Sequence, residues 1–542
     1  MGLYALVLIT TGVIFSLKKQ RDTSDYFLGG RSMPAWAVAI SILATAQSAA
    51  TFIGVPSMSY DADLRYLSSN IGGILAIVVL VRVFIPAFYR RRVFTPYELL
   101  ETRFGPRAKT AASATYLIGR IFSTGSRVFI GSIPASLIVF GDTSASHLAL
   151  AVGLMTVLGI AYTLVGGIRS VIWTDVIQAG IYLGTAAFTI GFLLREIPAP
   201  MTDIVHALIH PNDAENVPSK LTLLSLGFGP NGIDFADSWT LLASVTGLFL
   251  LALASYGMDQ DLVQRMLTCK SPREGARSAI LGMLIGIPAV AIFLVIGLLM
   301  WVYYQRPDLA GAEHAIRTQE KWIFLTFILH DMPRGVAGLM MAGLFAAGLS
   351  TVSSTLNSMS STFVSDFYKP RCEGRDERHF VRVGRLGVVG FGVLLGGFAL
   401  ACIALYDPDS QGLIDFALGV MGFAYAGLLA VFLTALFTKM GSERSAIAAL
   451  VTGFVVVACL NPTIRLWVAG VIEQNRAGHE PVSWLRTSIA FPWLLLAGTI
   501  VATIVCMLGT PTGRTLDAEV PATTGEVDAD RRDHTTGGSR GA

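Results

Sequence analysis

The sequence predicts an all-α integral membrane protein with about 13 transmembrane helices. Of its 542 residues, 53% are hydrophobic and only 14% are charged, whereas soluble domains carry about 25% charged residues. The mean hydropathy is +0.61 and the chain contains 55 glycines, a residue that is more frequent in transmembrane helices than in soluble ones. Apolar runs of about 20 residues, the length that crosses a hydrocarbon core of about 30 Å, follow one another along most of the chain.

The apolar runs define the predicted spans in chain order. They cover residues 2–17, 34–58, 65–87, 110–140, 147–166, 171–195, 238–265, 274–303, 335–368, 383–405, 412–437, 445–470 and 486–508. The first run lacks the basic segment that precedes the apolar core of a signal peptide, and its charges, Lys18 and Lys19, follow it. We therefore expect it to be a true helix.

The loops between the spans predict the orientation. Residues 90–109 and 369–385 are the most basic connections, and Lys and Arg near helix ends are retained on the cytoplasmic side. We expect a protein of the cell (inner) membrane with its N-terminus outside and its C-terminus in the cytoplasm. The proline-rich loop 196–237 is then external, and the polar tail 510–542 has too few apolar residues to fold.

Composition excludes several classes of function. The net charge of +3 is balanced along the chain, so no nucleic-acid partner is indicated. The five cysteines are scattered and show neither a disulfide framework nor a zinc-binding spacing. The histidines lie outside the interior of the predicted spans, so no cluster of catalytic groups marks a membrane enzyme.

The second span contains an unusual run of small and polar residues, 41–54, in the middle of the bilayer. Two interpretations remain open for this segment. It is either a face for tight helix packing or an unwound hinge that exposes backbone carbonyls.

The seventh span is interrupted in a comparable way, by Thr246 and Gly247 and then by the polar residues 255–261. Five spans separate the two interrupted helices, which is typical of transporters built from inverted repeats with a site between two broken helices. The predicted parts are a leading helix and loop (1–33), the first repeat (34–195), an external loop (196–237), the second repeat (238–437), two accessory helices (438–509) and a disordered cytoplasmic tail (510–542).

The ninth span carries eleven Ser, Thr and Asn side chains among sixteen residues. Ala347, Ser350 and Thr351 share one face at helical spacing. A single hydroxyl in a membrane helix usually bonds a carbonyl of its own helix, but so many together suggest a ligand. A hard cation such as Na⁺ prefers oxygen ligands, and the hydroxyls here together with carbonyls of a nearby broken helix would supply them.

Among the charged residues inside predicted spans, where a charge indicates function by default, three stand out. Arg120 and Arg127 are seven residues apart on one face of the fourth span. Arg127 is either a partner for an anionic substrate or a structural arginine, whereas Arg120 lies nearer the cytoplasmic side, where it would reach water. Asp175, near the inner end of the sixth span, either lines the exit path of a cation or stabilises the helix end.

Together these segments resemble the sodium/solute symporter family, which includes sodium/glucose, sodium/proline and sodium/sialic acid cotransporters. The resemblance covers residues 26–440 and rests on several motifs. They are Tyr26-Phe27-Leu28-Gly29-Gly30-Arg31, the stretch 44–56, the stretch 166–178, Asp259-Gln260-Asp261-Leu262-Val263-Gln264-Arg265, Leu356-Asn357-Ser358 and Asp366-Phe367-Tyr368. The family implies a LeuT-type core of two inverted five-helix repeats and sodium-coupled symport by alternating access.

The resemblance also implies a sodium site. Its ligands would be the carbonyls of Ala44, Gln47 and Ala347 and the hydroxyls of Ser350 and Thr351. Asp175 matches an aspartate on the inner sodium path of the family. Some members bind a second sodium through a serine where this chain has Ala347, so we expect one sodium.

The substrate is inferred from departures within the family. Sugar transporters have Asn, Glu and Gln in the second span, where this chain has Ala46, Ala50 and Thr51. Proline transporters have an Asp at the position of Ala46.

The predicted substrate residues are Ser48, Thr51, Arg127, Ser255 and Tyr256, a set similar to that of the sialic acid transporters, in which an arginine of the fourth span meets the carboxylate. We expect import of a small organic anion such as sialic acid or a carboxylate by a monomer in the lipid bilayer. A neutral sugar or polyol is the alternative substrate, and a solute-sensing receptor is the alternative of another class.

Overall fold

The structure is a computed structural model that describes residues 22–211, 218–229, 232–311, 322–372, 374–406, 412–462, 464–465 and 489–511. The helices of the first half are α1 (Thr23–Leu28), α2 (Ala35–Ala46), α3 (Ala49–Asp61), α4 (Arg65–Arg90), α5 (Glu98–Arg103), α6 (Pro106–Phe140), α7 (Ala145–Ala161), α8 (Gly167–Glu196) and α9 (Met201–Ile209).

The second half begins after a two-stranded hairpin formed by β1 (Phe228–Gly229) and β2 (Gly232–Ile233), which pair antiparallel. Its helices are α10 (Leu241–Gly257), α11 (Gln260–Leu267), α12 (Pro272–Gln305), α13 (Pro307–Ala310), α14 (Ile323–His330), α15 (Arg334–Thr362), α16 (Glu377–Leu405), α17 (Leu413–Phe437), α18 (Glu443–Leu460) and α19 (Phe491–Met507).

Twelve of the thirteen predicted spans coincide with helices of the described residues, and the first, 2–17, lies outside them. Eight helices are long and apolar enough to cross a membrane, and the number rises to ten if each of two bent pairs counts as one span. The short apolar helices α7 and α19 add to these. The tail after residue 511, predicted to be disordered, also lies outside the described residues.

The second predicted span is broken, so the hinge interpretation is correct. Gln47 and Ser48 between α2 and α3 have extended backbone (ψ 137° and 178°). In an unbroken helix the carbonyl of Ala44 would accept the N–H of Ser48, but this N–H points to the hydroxyl of Thr51 at 3.5 Å. The last carbonyls of α2 are therefore left for another partner.

The seventh predicted span is also broken, with a bend of 51° between α10 and α11. The backbone leaves the helix at Met258 and Asp259, and the carboxylate of Asp259 caps α11 by accepting the N–H of Asp261 at 3.0 Å. The break thus lies in the predicted polar segment 255–261. At the predicted earlier site, around Thr246 and Gly247, α10 instead contains a single π-helical turn, Ser244–Leu248.

Glycines allow close contacts between the repeats. A side chain at Gly72 of α4 would collide with the carbonyl oxygen of Ser244 at 2.2 Å, and one at Gly297 of α12 with the carbonyl oxygen of Pro56 at 2.1 Å. Small residues of this kind let membrane helices approach one another closely. The high glycine content is therefore used for packing.

Helix α15 is the polar centre of the bundle, and it packs against α8, α6, α16 and α11. Several of its hydroxyls bond carbonyls of their own helix, as Ser353 and Thr362 do with Ser350 and Ser358 at 3.1 and 3.0 Å. Others reach neighbouring helices, such as Ser360, which donates to the carbonyl of Gly384 at 2.5 Å. The serine-rich stretch therefore shows the first predicted use, bonds within its own helix, and in addition bonds to neighbouring helices.

Candidate functional site

The broken helices enclose a central cavity of about 200 Å³. Its walls come from both halves of the chain and from the segment before α10. The lining residues are Thr45, Ala46, Tyr66, Ser69, Asn70, Gly73, Arg120, Arg127, Trp239, Leu248, Leu251, Ala252, Ser255, Tyr256, Asp259, Leu262, Met283, Leu418, Met421 and Tyr425. Aromatic and aliphatic groups surround a few polar groups, which is typical of a small-molecule site.

Arg127 lines this cavity without a carboxylate partner among the described residues. Within the described residues its guanidinium makes one weak hydrogen bond, 3.4 Å from a terminal nitrogen to the sulfur of Met421. Its Nε is buried and donates to no protein atom. An arginine so placed has donor capacity for a further acceptor, and its planar fork suits a carboxylate.

Arg120, two turns earlier on the same helix, has two carboxylate partners. It forms ion pairs with Asp259 at 3.2 Å and with Asp261. The expectation that Arg120 reaches water is wrong, because its side chain is buried and turned toward the break between α10 and α11.

The other predicted substrate residues divide into two groups. Ser255 and Tyr256 of α10 line the central cavity, and the hydroxyl of Tyr256 lies 3.8 Å from the sulfur of Met283. Ser48 and Thr51 are not among its lining residues. Their polar atoms meet each other at the break between α2 and α3, where Thr51 substitutes for a helical acceptor.

A second, much smaller cavity of about 10 Å³ lies beside the first helix break, close to the minimum that holds one water molecule. It brings together four of the five predicted sodium ligands, Ala44, Gln47, Ala347 and Ser350, with α8 forming the remaining wall through residues that include Tyr182. Thr351 is not among the lining residues, and its hydroxyl donates to the carbonyl of Ala347 at 3.0 Å. The space is of single-ion size.

Asp175 adjoins this small cavity through Ser350. One carboxylate oxygen of Asp175 accepts the hydroxyl of Ser350 at 2.5 Å, and the other accepts the hydroxyl of Ser41 at 2.5 Å and Arg265 at 3.2 Å. Asp175 is completely buried. Asp175 thus connects α8 with α2, α11 and α15 and has structural contacts. Its carboxylate is separated from the cation-sized space by the hydroxyl of Ser350.

A chain of ion pairs joins the two cavities. From Asp175 it runs through Arg265 to Asp261 at 2.7 Å, and from there through Arg120 to Asp259, which lines the central cavity. All five side chains are buried. Such a network is costly to assemble in a membrane and strongly destabilising to break, so it holds α2, α6, α8 and α11 together.

The network extends to hydroxyl groups that sequence analysis did not assign. Thr355 donates to Asp261 at 3.1 Å, Arg265 donates to Ser354, and Tyr425 of α17 donates to Asp259. The motif 259–265 contributes to the family resemblance, but its sequence does not show which arginines and hydroxyls bind its two aspartates. Asn70 of α4, a polar residue of the central cavity, was missed because the few polar residues of that span give no sign of a helix break.

A bundle with two broken helices and a cation-sized cavity beside a central polar cavity is the architecture of a secondary transporter. The chain belongs to the sodium:solute symporter family, whose model matches residues 26–453. It is accordingly a sodium-coupled solute symporter and a multi-pass membrane protein, not an enzyme, and sodium is one of its transported substrates.

Relatives of known function are similar over most of their length. The sodium/sialic acid symporter SiaT of Proteus mirabilis (strain HI4320) is 30% identical over 471 residues, which are 84% of this chain and 87% of SiaT. The human sodium/iodide cotransporter is 28% identical over 86% of this chain and 69% of its own. The sodium-coupled monocarboxylate transporter 1 of Xenopus laevis is 27% identical over 93% of this chain and 83% of its own.

Solved structures confirm the predicted LeuT-type fold. A Na⁺-coupled sialic acid symporter in a substrate-bound outward-open state matches with a TM-score of 0.74 and 25% identity, over 93% of this chain and 95% of that one. Mhp1, a nucleobase-cation-symport-1 family transporter, matches in a closed conformation with a TM-score of 0.53 and 14% identity, over 91% of this chain and 95% of that one. The second likeness concerns the fold alone.

Proposed function

We propose that this protein imports a small organic carboxylate together with sodium and that Arg127 binds the carboxylate. The observation that carries this is the guanidinium of Arg127, which lines the central cavity and has no acidic partner among the described residues. An uncompensated cation inside a membrane bundle is costly. A bound carboxylate would neutralise it and fill its donor capacity, including the buried Nε.

The rest of the central cavity fits a small polar anion. Asn70, Ser69 and Ser255 offer neutral hydrogen-bonding groups, while Trp239 and Tyr66 provide an aromatic wall. Their combination would orient the remainder of the substrate once its carboxylate is held. The relatives named above carry sialic acid, iodide and monocarboxylates, all of which are anions.

Sodium would bind in the small cavity between α2 and α15. Because Ser350 directs its proton to Asp175, the lone pairs of its oxygen are left for a cation. The carbonyls of Ala44 and Gln47 lie at the end of α2, where the helix dipole is negative, and the carbonyl of Ala347 completes the set with the nearby hydroxyl of Thr351. The buried charge of Asp175 would add electrostatic attraction.

Coupling follows from the position of the two sites on the same broken helix, because Thr45 and Ala46 line the solute cavity while Ala44 and Gln47 line the cation cavity. Sodium that fixes this break would preorganise the solute site, and by reciprocal linkage the solute would then raise sodium affinity. One sodium ion entering at 100 mV contributes about 2.3 kcal/mol, which a monovalent anion entering with it offsets, so the sodium concentration gradient would drive the import of a monocarboxylate. Rocking of the repeats about the site would alternate access.

The experiment measures thermal stability of the detergent-purified protein in NaCl and in KCl against sialic acid, lactate, pantothenate, proline, hexoses and inositol. Ligand binding raises the melting temperature by mass action. We expect one carboxylate to raise it in NaCl, little effect in KCl, and loss of the effect in Arg127→Ala. Arg195→Ala, which removes an exposed arginine at the end of α8, is the matched control.

Two results would contradict the proposal. A shift by a neutral sugar or polyol that survives Arg127→Ala would make the arginine structural and would favour the alternative substrate class. A carboxylate shift of equal size in NaCl and KCl would separate the solute site from sodium and would refute the assigned coupling.

A further inference from the structure

A third cavity, of about 380 Å³, lies away from both candidate sites, at the ends of α4 and α17. Its twelve lining residues include five basic side chains and no acidic one. They are Arg82, Val83, Pro86, Ala87, Arg90, Arg91, Arg103, Ala435, Leu436, Phe437, Thr438 and Lys439. The basic loops place this end of the bundle on the predicted cytoplasmic side.

The apolar and basic residues of the cavity are arranged as a membrane interface requires. Arg82, Pro86 and Arg90 recur every four residues on α4, so they share one face of the helix. Between the basic groups the walls are aliphatic, and Phe437 at the end of α17 is 55% exposed. The cavity thus offers positive charge next to apolar surface at the depth where lipid headgroups meet acyl chains.

The exposed cations are not neutralised by the protein. Arg82, Arg90 and Lys439 form no ion pair or hydrogen bond within the described residues. Arg82 lies eight residues before Arg90, which places it about 12 Å from Arg90 along the helix axis and inside a span. An exposed arginine at that depth needs an anion or water that reaches it.

Arg103 of α5 is a firmly held residue of the cavity wall. It is only 2% exposed, donates to the carbonyl of Met440 at 2.8 Å, and lies with its guanidinium carbon 5.0 Å from the centre of the Phe104 ring. Burial lowers its pKa from the ordinary value for arginine. These contacts hold the turn after α17, and with it Lys439, against α5, so the site is preformed.

We propose that this cavity binds the phosphate group of an anionic glycerophospholipid. Arginine forks bind phosphate oxygens in bidentate geometry, and basic pockets between transmembrane helices on the cytoplasmic side are typical of sites for anionic headgroups. The aliphatic walls and Phe437 would contact the acyl chains. A free phosphate ion shares the headgroup chemistry but lacks the acyl chains.

The test uses delipidated, detergent-purified full-length protein and measures the affinity for phosphatidylglycerol by native mass spectrometry and by the shift in melting temperature. Phosphatidylcholine and inorganic phosphate are the comparison ligands. Of the three ligands, we expect only phosphatidylglycerol to bind tightly. Its binding should weaken about tenfold or more in Arg82→Gln/Arg90→Gln. Arg375→Gln/Arg378→Gln, which removes two exposed arginines from another basic loop, is the matched control and should bind as the parent does.

Several results would overturn the proposal. Phosphatidylcholine binding as tightly as phosphatidylglycerol, or inorganic phosphate stabilising the protein as much, would do so. A loss of binding in the control pair equal to that in Arg82→Gln/Arg90→Gln would show an effect of overall charge only. If the double variant does not fold, Lys439→Gln at the exposed rim replaces it, with an expected severalfold loss. The melting temperature without lipid verifies folding in each case.

Discussion

Two arginines on one face of α6 experience opposite surroundings. Arg120 is enclosed by Asp259 and Asp261, whereas Arg127, seven residues later, contacts only the sulfur of Met421. Both are intramembrane charges, which indicate function by default. The difference is in their partners: a charge that the chain neutralises itself holds helices together, and a charge that it leaves uncompensated is available to a ligand.

The largest expected effect is loss of stability on removal of Arg120. Arg120→Met leaves Asp259 buried without its cation and Asp261 paired with Arg265 alone, and we expect destabilisation by about 3–5 kcal/mol. Thermal unfolding in detergent measures this. Arg120→Met/Asp261→Asn should recover part of the loss, and a melting temperature of Arg120→Met equal to that of the parent would show that the ion pairs contribute nothing.

The same substitution at Arg127 should have the reverse outcome. Arg127→Met removes an uncompensated cation, so stability without ligand should stay within about 1 kcal/mol of the parent or rise. Binding of the carboxylate should weaken by about 2–4 kcal/mol, or 30- to 1,000-fold. Isothermal titration or the ligand-induced melting shift measures this, and Arg127→Met as destabilising as Arg120→Met would erase the distinction between the two residues.

A smaller effect is expected from substituting the two serines that donate to Asp175, and it should differ between them. Ser350 lines the cation-sized cavity, whereas Ser41 does not. Ser350→Ala should weaken sodium binding about tenfold, because it removes one oxygen ligand, and Ser41→Ala should leave sodium affinity within about twofold while lowering stability by about 1 kcal/mol. Sodium-dependent melting curves distinguish them. Equal sodium affinities in the two variants would refute the assigned ligand role of Ser350.

The smallest effect concerns a carboxylate outside the spans, Glu98 of α5. Burial and the nearby charge of Asp366 raise its pKa to about 7, although it accepts backbone N–H groups of Phe94 and Thr95. A raised pKa means that the folded protein binds the proton more tightly than the unfolded chain, so this contribution to stability is present below about pH 4.5 and is lost as pH rises through about 7.

We therefore expect stability to fall by about 1 kcal/mol or more between pH 6 and 8 in the parent, and to fall less in Glu98→Gln. Lys109, which lies 3.6 Å from Asp366, stays charged over this range. Melting temperatures at the two pH values give the comparison. Identical pH dependence in both proteins would show that Glu98 does not titrate there.

The fold class, twelve spans and both helix breaks follow from the sequence because they depend on local properties: apolar length, small polar residues in mid-membrane, and basic loops. The partners of charges do not follow. Arg120 and Asp261 are 141 positions apart, and only the crossing of α6 with α11 brings them together. For the same reason the sequence left a structural role open for Arg127 and predicted contact with water for Arg120, instead of its ion pairs with Asp259 and Asp261.

The candidate site was predictable to a similar extent. Four of the five expected sodium ligands, Ala44, Gln47, Ala347 and Ser350, line one small cavity, and Thr351 does not; their role as ligands stays a prediction. Ser48 and Thr51 were expected to face the substrate because they lie at the helix break. A break, however, leaves backbone groups that need partners, and these two residues meet that local requirement.

The ion-pair chain has an electrical consequence. Together with Arg127, the groups between the two cavities are three arginines and three aspartates, Arg120, Arg127, Arg265, Asp175, Asp259 and Asp261. Their charges sum to zero when all are ionised. One sodium ion loaded with one monocarboxylate preserves that neutrality, whereas either alone places an unbalanced charge in the membrane interior. The half-loaded carrier is therefore the form whose reorientation should cost most, which would suppress leakage of either substrate without the other.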